Sequence, residues 1–151
     1  MNYFTFLFVL LVIVMSINFG VKSFNLYVLK LIRDKFYIGK TTQNVYDRFN
    51  QHKIGIGSSW TKLYKPIKVL EQFETSDKFE EDKYTKKYMD LYGIDNVRGG
   101  SYSNIILSDW QIKAIERELE TSNDLCFKCG KSGHFAYNCN NFNKKIDFNT
   151  K

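Results

Sequence analysis

Apolar and polar residues alternate loosely over residues 25–32, around Leu26, Val28, Leu29 and Ile32, the pattern of a strand. Arg33-Asp34-Lys35 interrupts it as a polar turn, and Phe36-Tyr37-Ile38 resumes it, so the short connection predicts an antiparallel hairpin with Gly39 ending the second strand. Residues 44–53 switch to helical spacing, capped by Thr42 or Asn44, with Val45 and Phe49 on the buried face. Arg48 and His52, four apart, share another face of that helix. Gly55 and Gly57 open a loop through Ser58, Ser59, Trp60 and Thr61, and residues 67–73 fit a third strand. Residues 76–92 carry the longest helical pattern, and GIDNVRGGSYS after it reads as loop. Ser108 and Gln111 match a capping box, and Leu107 with Ile112 a hydrophobic staple. They open a helix over 108–120 whose packed stripe is Ile112, Ile115 and Leu119. The expected fold is α+β, a small three-stranded antiparallel sheet flanked by helices.

The long helical pattern contains one costly position. At about 100° per residue from Phe79, Tyr84, Leu91, Tyr88 and Tyr92 span roughly 120–220°, and Glu81 falls near 200°, inside that stripe. An acid there must be paired or hold a metal. Lys40, Lys86 and Arg98 are the cations available to pair with it.

Charge changes the picture. The chain has 151 residues and a net charge of +6. That charge divides into +8 over residues 22–70, −5 over 71–121 and +3 over 122–151. Basic segments around an acidic one suit a polyanion bound near a carboxylate-held cation. The aromatic content of 17% comes with a single proline and abundant Asn, Lys and Ile, a composition that AT-rich coding also produces, so it is not by itself a functional signal.

Residues 126–139, CFKCGKSGHFAYNC, hold all three cysteines and one of the two histidines. Cys126, Cys129, His134 and Cys139 follow C-x2-C-x4-H-x4-C. This is metal-ligand usage, not a disulfide framework, and it implies an intracellular, reducing compartment. Three thiolates and an imidazole make a closed tetrahedral zinc site, and zinc folds so short a segment. The segment resembles the CCHC zinc knuckle, including Gly130, Gly133 and Phe127. Such modules bind single-stranded nucleic acid. Phe127 with Phe135 or Tyr137 would stack on bases, and Lys128 and Lys131 would meet phosphates.

Tyr27, then Tyr37-Ile38-Gly39 ten residues on, then Lys40, Arg48, His52, Glu81 and Asn96 in that order, resemble the GIY-YIG nuclease superfamily over about residues 24–100. Only the tyrosine of Leu26-Tyr27-Val28 matches the first triplet of that name; the second triplet matches in full. The resemblance implies a metal-dependent endonuclease. Tyr27 would be general base or its relay, and Tyr37 would orient phosphate or water. Arg48 would hold the scissile phosphate, His52 assist proton transfer and Lys40 stabilise charge. Glu81 would bind Mg²⁺ or Mn²⁺, and Asn96 would position the phosphate region. Cations near Tyr27 would lower its phenol below the ordinary value of about 10. Arg98-Gly99-Gly100 reads either as a phosphate-contacting turn, with Arg98 on nucleic acid, or as a structural turn.

The expected organisation is a hydrophobic segment at 1–21, a nuclease domain at 22–104, a helix at 105–121, the knuckle at 125–139 and a disordered tail at 140–151. Residues 3–21 read as a membrane anchor, a signal core, a buried helix, or leader translated upstream of a start at Met15. DNA is the expected partner, with RNA and a membrane as alternatives, and a non-catalytic nucleic-acid-binding protein is the rival reading. Oligomeric state is not legible.

Overall fold

The computed structural model describes residues 22–140. Strand β1 (Phe24–Leu31) and strand β2 (Phe36–Thr41) form the expected antiparallel hairpin, with Tyr27 opposite Gly39 and Leu29 opposite Tyr37. Its turn places Arg33 and Asp34 at positive φ. Helix α1 (Val45–Lys53) takes Asn44 as its cap, through a side-chain bond from the Tyr46 N–H. Ser58 caps a short helix, α2 (Ser59–Leu63), where a loop was expected. Strand β3 (Pro66–Thr75) pairs antiparallel with β1. Helix α3 (Glu80–Tyr92), strand β4 (Val97–Gly99) and helix α4 (Asp109–Ser122) complete the order.

The sheet has four strands in the order β3-β1-β2-β4, and β4 runs parallel to β2. The expectation of three antiparallel strands is therefore corrected to a four-stranded mixed sheet. β4 is three residues long and ends at a Gly-Gly pair, so it carries no periodic signal. Gly39 does not end β2 either: the strand runs on to Thr41. The capping box and the Leu107–Ile112 staple both stand, and both staple residues pack in one core.

β1 is buried on both faces because the helices form a layer on each side of the sheet. Leu26 and Val28 pack with Phe36, Ile38, Tyr88, Met89 and Ile115 on the α3/α4 side. Tyr27, Leu29 and Leu31 pack with Tyr37, Val45 and Trp60 on the α1/α2 side. On α3 the buried residues are Thr85, Tyr88 and Met89, while Leu91 and Phe79 are exposed. The stripe is thus rotated from the expected one, and the Glu81 position stays inside it.

Among the described residues no helix is long and apolar enough to cross a membrane. The readings of residues 1–21 and of the tail beyond residue 140 lie outside the described residues.

Candidate active site

The end of β2 builds the site. A Cβ on Gly39 would lie 2.5 Å from the Tyr27 hydroxyl oxygen and 2.9 Å from the Tyr37 ring. Glycine is therefore required because the two phenols close over that backbone, not because the chain turns. Tyr27, Tyr37 and His52 form one aromatic cluster, with His52 centred 6.0 Å from Tyr27 and 5.1 Å from Tyr37.

His52 is fully buried, although α1 looked amphipathic with His52 on its polar side. Its Nε2 lies 2.9 Å from the Tyr27 hydroxyl, and its Nδ1 lies 2.8 Å from Thr61 Oγ1. The Thr61 hydroxyl donates to the Ser58 carbonyl at 3.0 Å. With its one proton on that carbonyl, Thr61 accepts from His52, an assignment of the hydrogen-bond network that puts the ring proton on Nδ1 and leaves Nε2 bare. Tyr27 therefore donates to His52. Gly57 leaves the room for this arrangement, since a Cβ there would lie 2.1 Å from His52 Nδ1. Thr61, Ser58 and Gly57 were missed in the sequence. Their only signal was a polar, glycine-flanked stretch, which any loop shows.

Burial, and then the positive charge of Arg48, lower the His52 pKa to about 4, so the ring is neutral at pH 7. Burial also raises the Tyr27 phenol above its ordinary range; Tyr37 and Glu81 add to this and Arg48 opposes it. The expectation of a cation-lowered phenol is thus corrected, because desolvation outweighs the one nearby guanidinium. Tyr37 is raised by burial and by Glu81, against Ser58 and Arg48.

Arg48 donates to Gln51 Oε1 at 2.8 Å and keeps part of its guanidinium open to a cleft of about 510 Å³. Across the end of β2, Lys40 Nζ sits 3.3 Å from Glu81 Oε2. Of the three cations available to Glu81, Lys40 is the partner; Lys86 bonds Glu118 instead. The Gly100 N–H donates to Glu81 Oε1 at 3.3 Å. Asp82 turns away and holds Ser101 through its N–H and hydroxyl. Glu81 is thus a single oriented carboxylate, its side chain 13% exposed, at the wall of a cleft of about 520 Å³.

Two expected residues lie elsewhere. Asn96 precedes β4, and β4 starts beside Phe36, at the opposite end of β2 from Lys40. Its amide N–H bonds the Tyr92 carbonyl at 2.7 Å, and its carbonyl accepts from Lys35 at 2.7 Å, so it ties the end of α3 to the hairpin. Arg98 is 4% exposed and lies over the Trp60 ring at 4.6 Å. It donates to the carbonyls of Ile94, Val97, Asn104 and Ile105 at 2.7–3.0 Å. Four of its five N–H donors are thus engaged by backbone carbonyls inside the fold, and Gly100 stands at positive φ against Asp82.

At the C-terminus the ligand atoms of Cys126, Cys129, His134 and Cys139 all lie within 4.8 Å of one another. Cys126 and Cys139 are buried, Gly130 and Gly133 have positive φ, and the three thiols form no disulfide. Three sulfurs and an imidazole at this separation fit a tetrahedral zinc ion. Phe135 and Tyr137 are exposed with rings 11° from parallel. Phe127 is half-buried under Arg117, and Lys128 and Lys131 are exposed.

Among known families, the GIY-YIG catalytic domain matches residues 23–95 and the zinc knuckle matches residues 124–141. No curated protein and no solved structure matches the chain. The tyrosine pair closed over Gly39 and the Cys/His cluster fall inside these two spans, and the chain thus carries a GIY-YIG domain followed by a CCHC zinc knuckle.

Proposed function

We propose that this protein is a metal-dependent endonuclease that cleaves phosphodiester bonds in DNA, with the knuckle holding the strand. The observation that carries the reading is the buried Tyr27–His52 hydrogen bond at the same sheet end as the Lys40–Glu81 pair. Residues 22–104 form the nuclease unit, 105–121 the connecting helix and 125–139 the knuckle.

Arg48, facing its cleft, holds the scissile phosphate through its guanidinium fork. A water attacks phosphorus, forming one P–O bond as the bond to the leaving ester oxygen breaks. Its proton goes to the Tyr27 oxygen while the Tyr27 proton moves to His52 Nε2, so no phenolate has to exist in a site that resists one. Burial is the main reason His52 is neutral, but the phosphate offsets the Arg48 charge that adds to it, which favours the imidazolium formed in this step. Tyr37 orients the water or phosphate from the other side of Gly39, and Lys40 meets the developing negative charge. Glu81 suits Mg²⁺ or Mn²⁺, since one carboxylate on an open cleft matches an ion that keeps several waters. Such an ion would supply charge to the phosphate and the leaving oxygen. Three thiols spaced for zinc and joined by no disulfide support a reducing, intracellular location.

The test uses the full zinc-loaded chain with supercoiled plasmid and branched DNA, with Mg²⁺, with Mn²⁺ and with neither, beside Glu81→Ala. Cleavage is expected only with added metal and is lost in the variant. Binding without cleavage under every condition would leave a nucleic-acid-binding module and sink the enzyme reading.

A further inference from the structure

Lys40 lines two clefts, one on each side of the candidate active site. The first, with Lys22, Phe24, Thr42, Arg48 and Gln51, is basic and contains no acid. The second holds Lys78, Phe79, Glu81, Asp82 and Ser101. Each pairs one phenylalanine with lysine: Lys40 Nζ lies 5.4 Å from the Phe24 ring and Lys78 Nζ 5.0 Å from the Phe79 ring. Phe79 is 60% exposed at the start of α3, makes no side-chain capping bond and belongs to neither core cluster. A large aromatic ring thus stands outside the packed core at the mouth of this cleft.

A lysine beside an aromatic ring, exposed at Phe79 and half-buried at Phe24, is what an unpaired nucleotide needs, the ring for its base and the ammonium for its phosphate. Base pairs in an intact duplex keep their faces stacked on one another and cannot use such a platform. We infer that these two clefts are the subsites for the nucleotides flanking the scissile phosphate, with Phe24 and Phe79 as stacking platforms. The substrate is then a strand that is single, frayed or branched across Lys40, not continuous duplex. The inference rests on the nuclease reading for the position of the scissile phosphate. It assigns the residues on either side, which the catalytic roles leave out.

The test is fluorescence anisotropy with the full zinc-loaded chain and no added Mg²⁺ or Mn²⁺, comparing a single-stranded oligonucleotide, a duplex with a frayed end and an intact duplex of the same length. Deoxy and ribo versions of the single strand show which sugar the clefts accept. Phe79→Ala should weaken single-strand and frayed-end binding about fivefold or more, the loss of one stacked base. Phe79→Trp should restore it, and intact-duplex binding should not change. A 5-iodouracil beside the cleaved position should photocrosslink to Phe79 or Phe24. An unchanged single-strand affinity in Phe79→Ala, an equal loss on all three ligands, or crosslinks confined to the knuckle would overturn the inference. Wild-type cleavage is scored separately with metal present. Phe79-independent cleavage removes the subsites and keeps the nuclease, while Phe79-dependent binding with no cleavage does the reverse.

Discussion

Replacing Thr61 with valine keeps its volume and removes one hydroxyl that is fully buried. That hydroxyl accepts from His52 Nδ1 at 2.8 Å and donates to the Ser58 carbonyl at 3.0 Å. The carbonyl keeps the helical bond from the Lys62 N–H, so the group left unmet is the imidazole N–H. An orphaned buried donor costs about 1–3 kcal/mol. The ring escapes part of that cost by moving its proton to Nε2, which turns it from an acceptor of the Tyr27 proton into a donor. Two consequences follow from one cause. Stability falls by about 2 kcal/mol in urea denaturation, and cleavage falls by at least tenfold, since positioned proton transfer contributes typically 10²–10⁴-fold. Nitrogen-15 spectra of histidine-labelled protein read the tautomer directly, because the chain has only two histidines and the other is a knuckle ligand. The wild type should show His52 protonated at Nδ1, Thr61→Val at Nε2, and Thr61→Ser the wild-type pattern with most of the activity. A wild-type ring already protonated at Nε2, or a Thr61→Ser variant that behaves like Thr61→Val, refutes the reasoning.

Gly57→Ala should displace the same ring, because the added methyl meets His52 Nδ1 at 2.1 Å; overpacking of this kind costs about 1–3 kcal/mol and should appear as a lower Tm. Acid should destabilise the domain through His52. Its folded pKa of about 4 lies below the unfolded 6.5, so the unfolded chain takes up a proton first as pH falls. The contribution is complete above pH 6.5 and lost towards pH 4, about 3 kcal/mol in all, and His52→Gln should flatten that part of the stability profile. Arg98→Ala should cost more than about 3 kcal/mol in chemical denaturation, as four carbonyls lose their donor at once, yet the fraction that folds should bind DNA with unchanged salt dependence. Chelating zinc should unfold residues 125–139 and weaken single-strand binding while the melting of the sheet domain stays in place, because the metal is what folds so small a segment.

The elements that were legible in the sequence are those whose signal is local. Asn44 and Ser108 announce helices because a cap bonds its own next turn. The knuckle is readable because its four ligands lie within fourteen residues. The β1–β2 hairpin is readable because its partners are joined by a short turn. Glu81 stood out because helical geometry alone places it in an apolar stripe, although the stripe proved to be centred elsewhere on α3.

What was not legible depends on contacts between distant segments. β4 is a strand only because β2 offers it an edge, sixty residues away in the chain. The same edge separates Asn96 from Lys40 by fixing which end of β4 meets which end of β2. Arg98 is buried because Trp60, from a distant part of the chain, covers it while the neighbouring carbonyls on either side of β4 accept its hydrogen bonds. Sequence order alone determined which titratable, basic and metal-ligating side chains the chain carries. Only the tertiary structure decided their states. The direction of the Tyr27–His52 proton, the raised phenol and the neutral imidazole all follow from burial between the sheet and the α1/α2 layer and from a threonine on another helix, and neither burial nor a hydrogen-bond partner across the fold has any expression in a linear sequence.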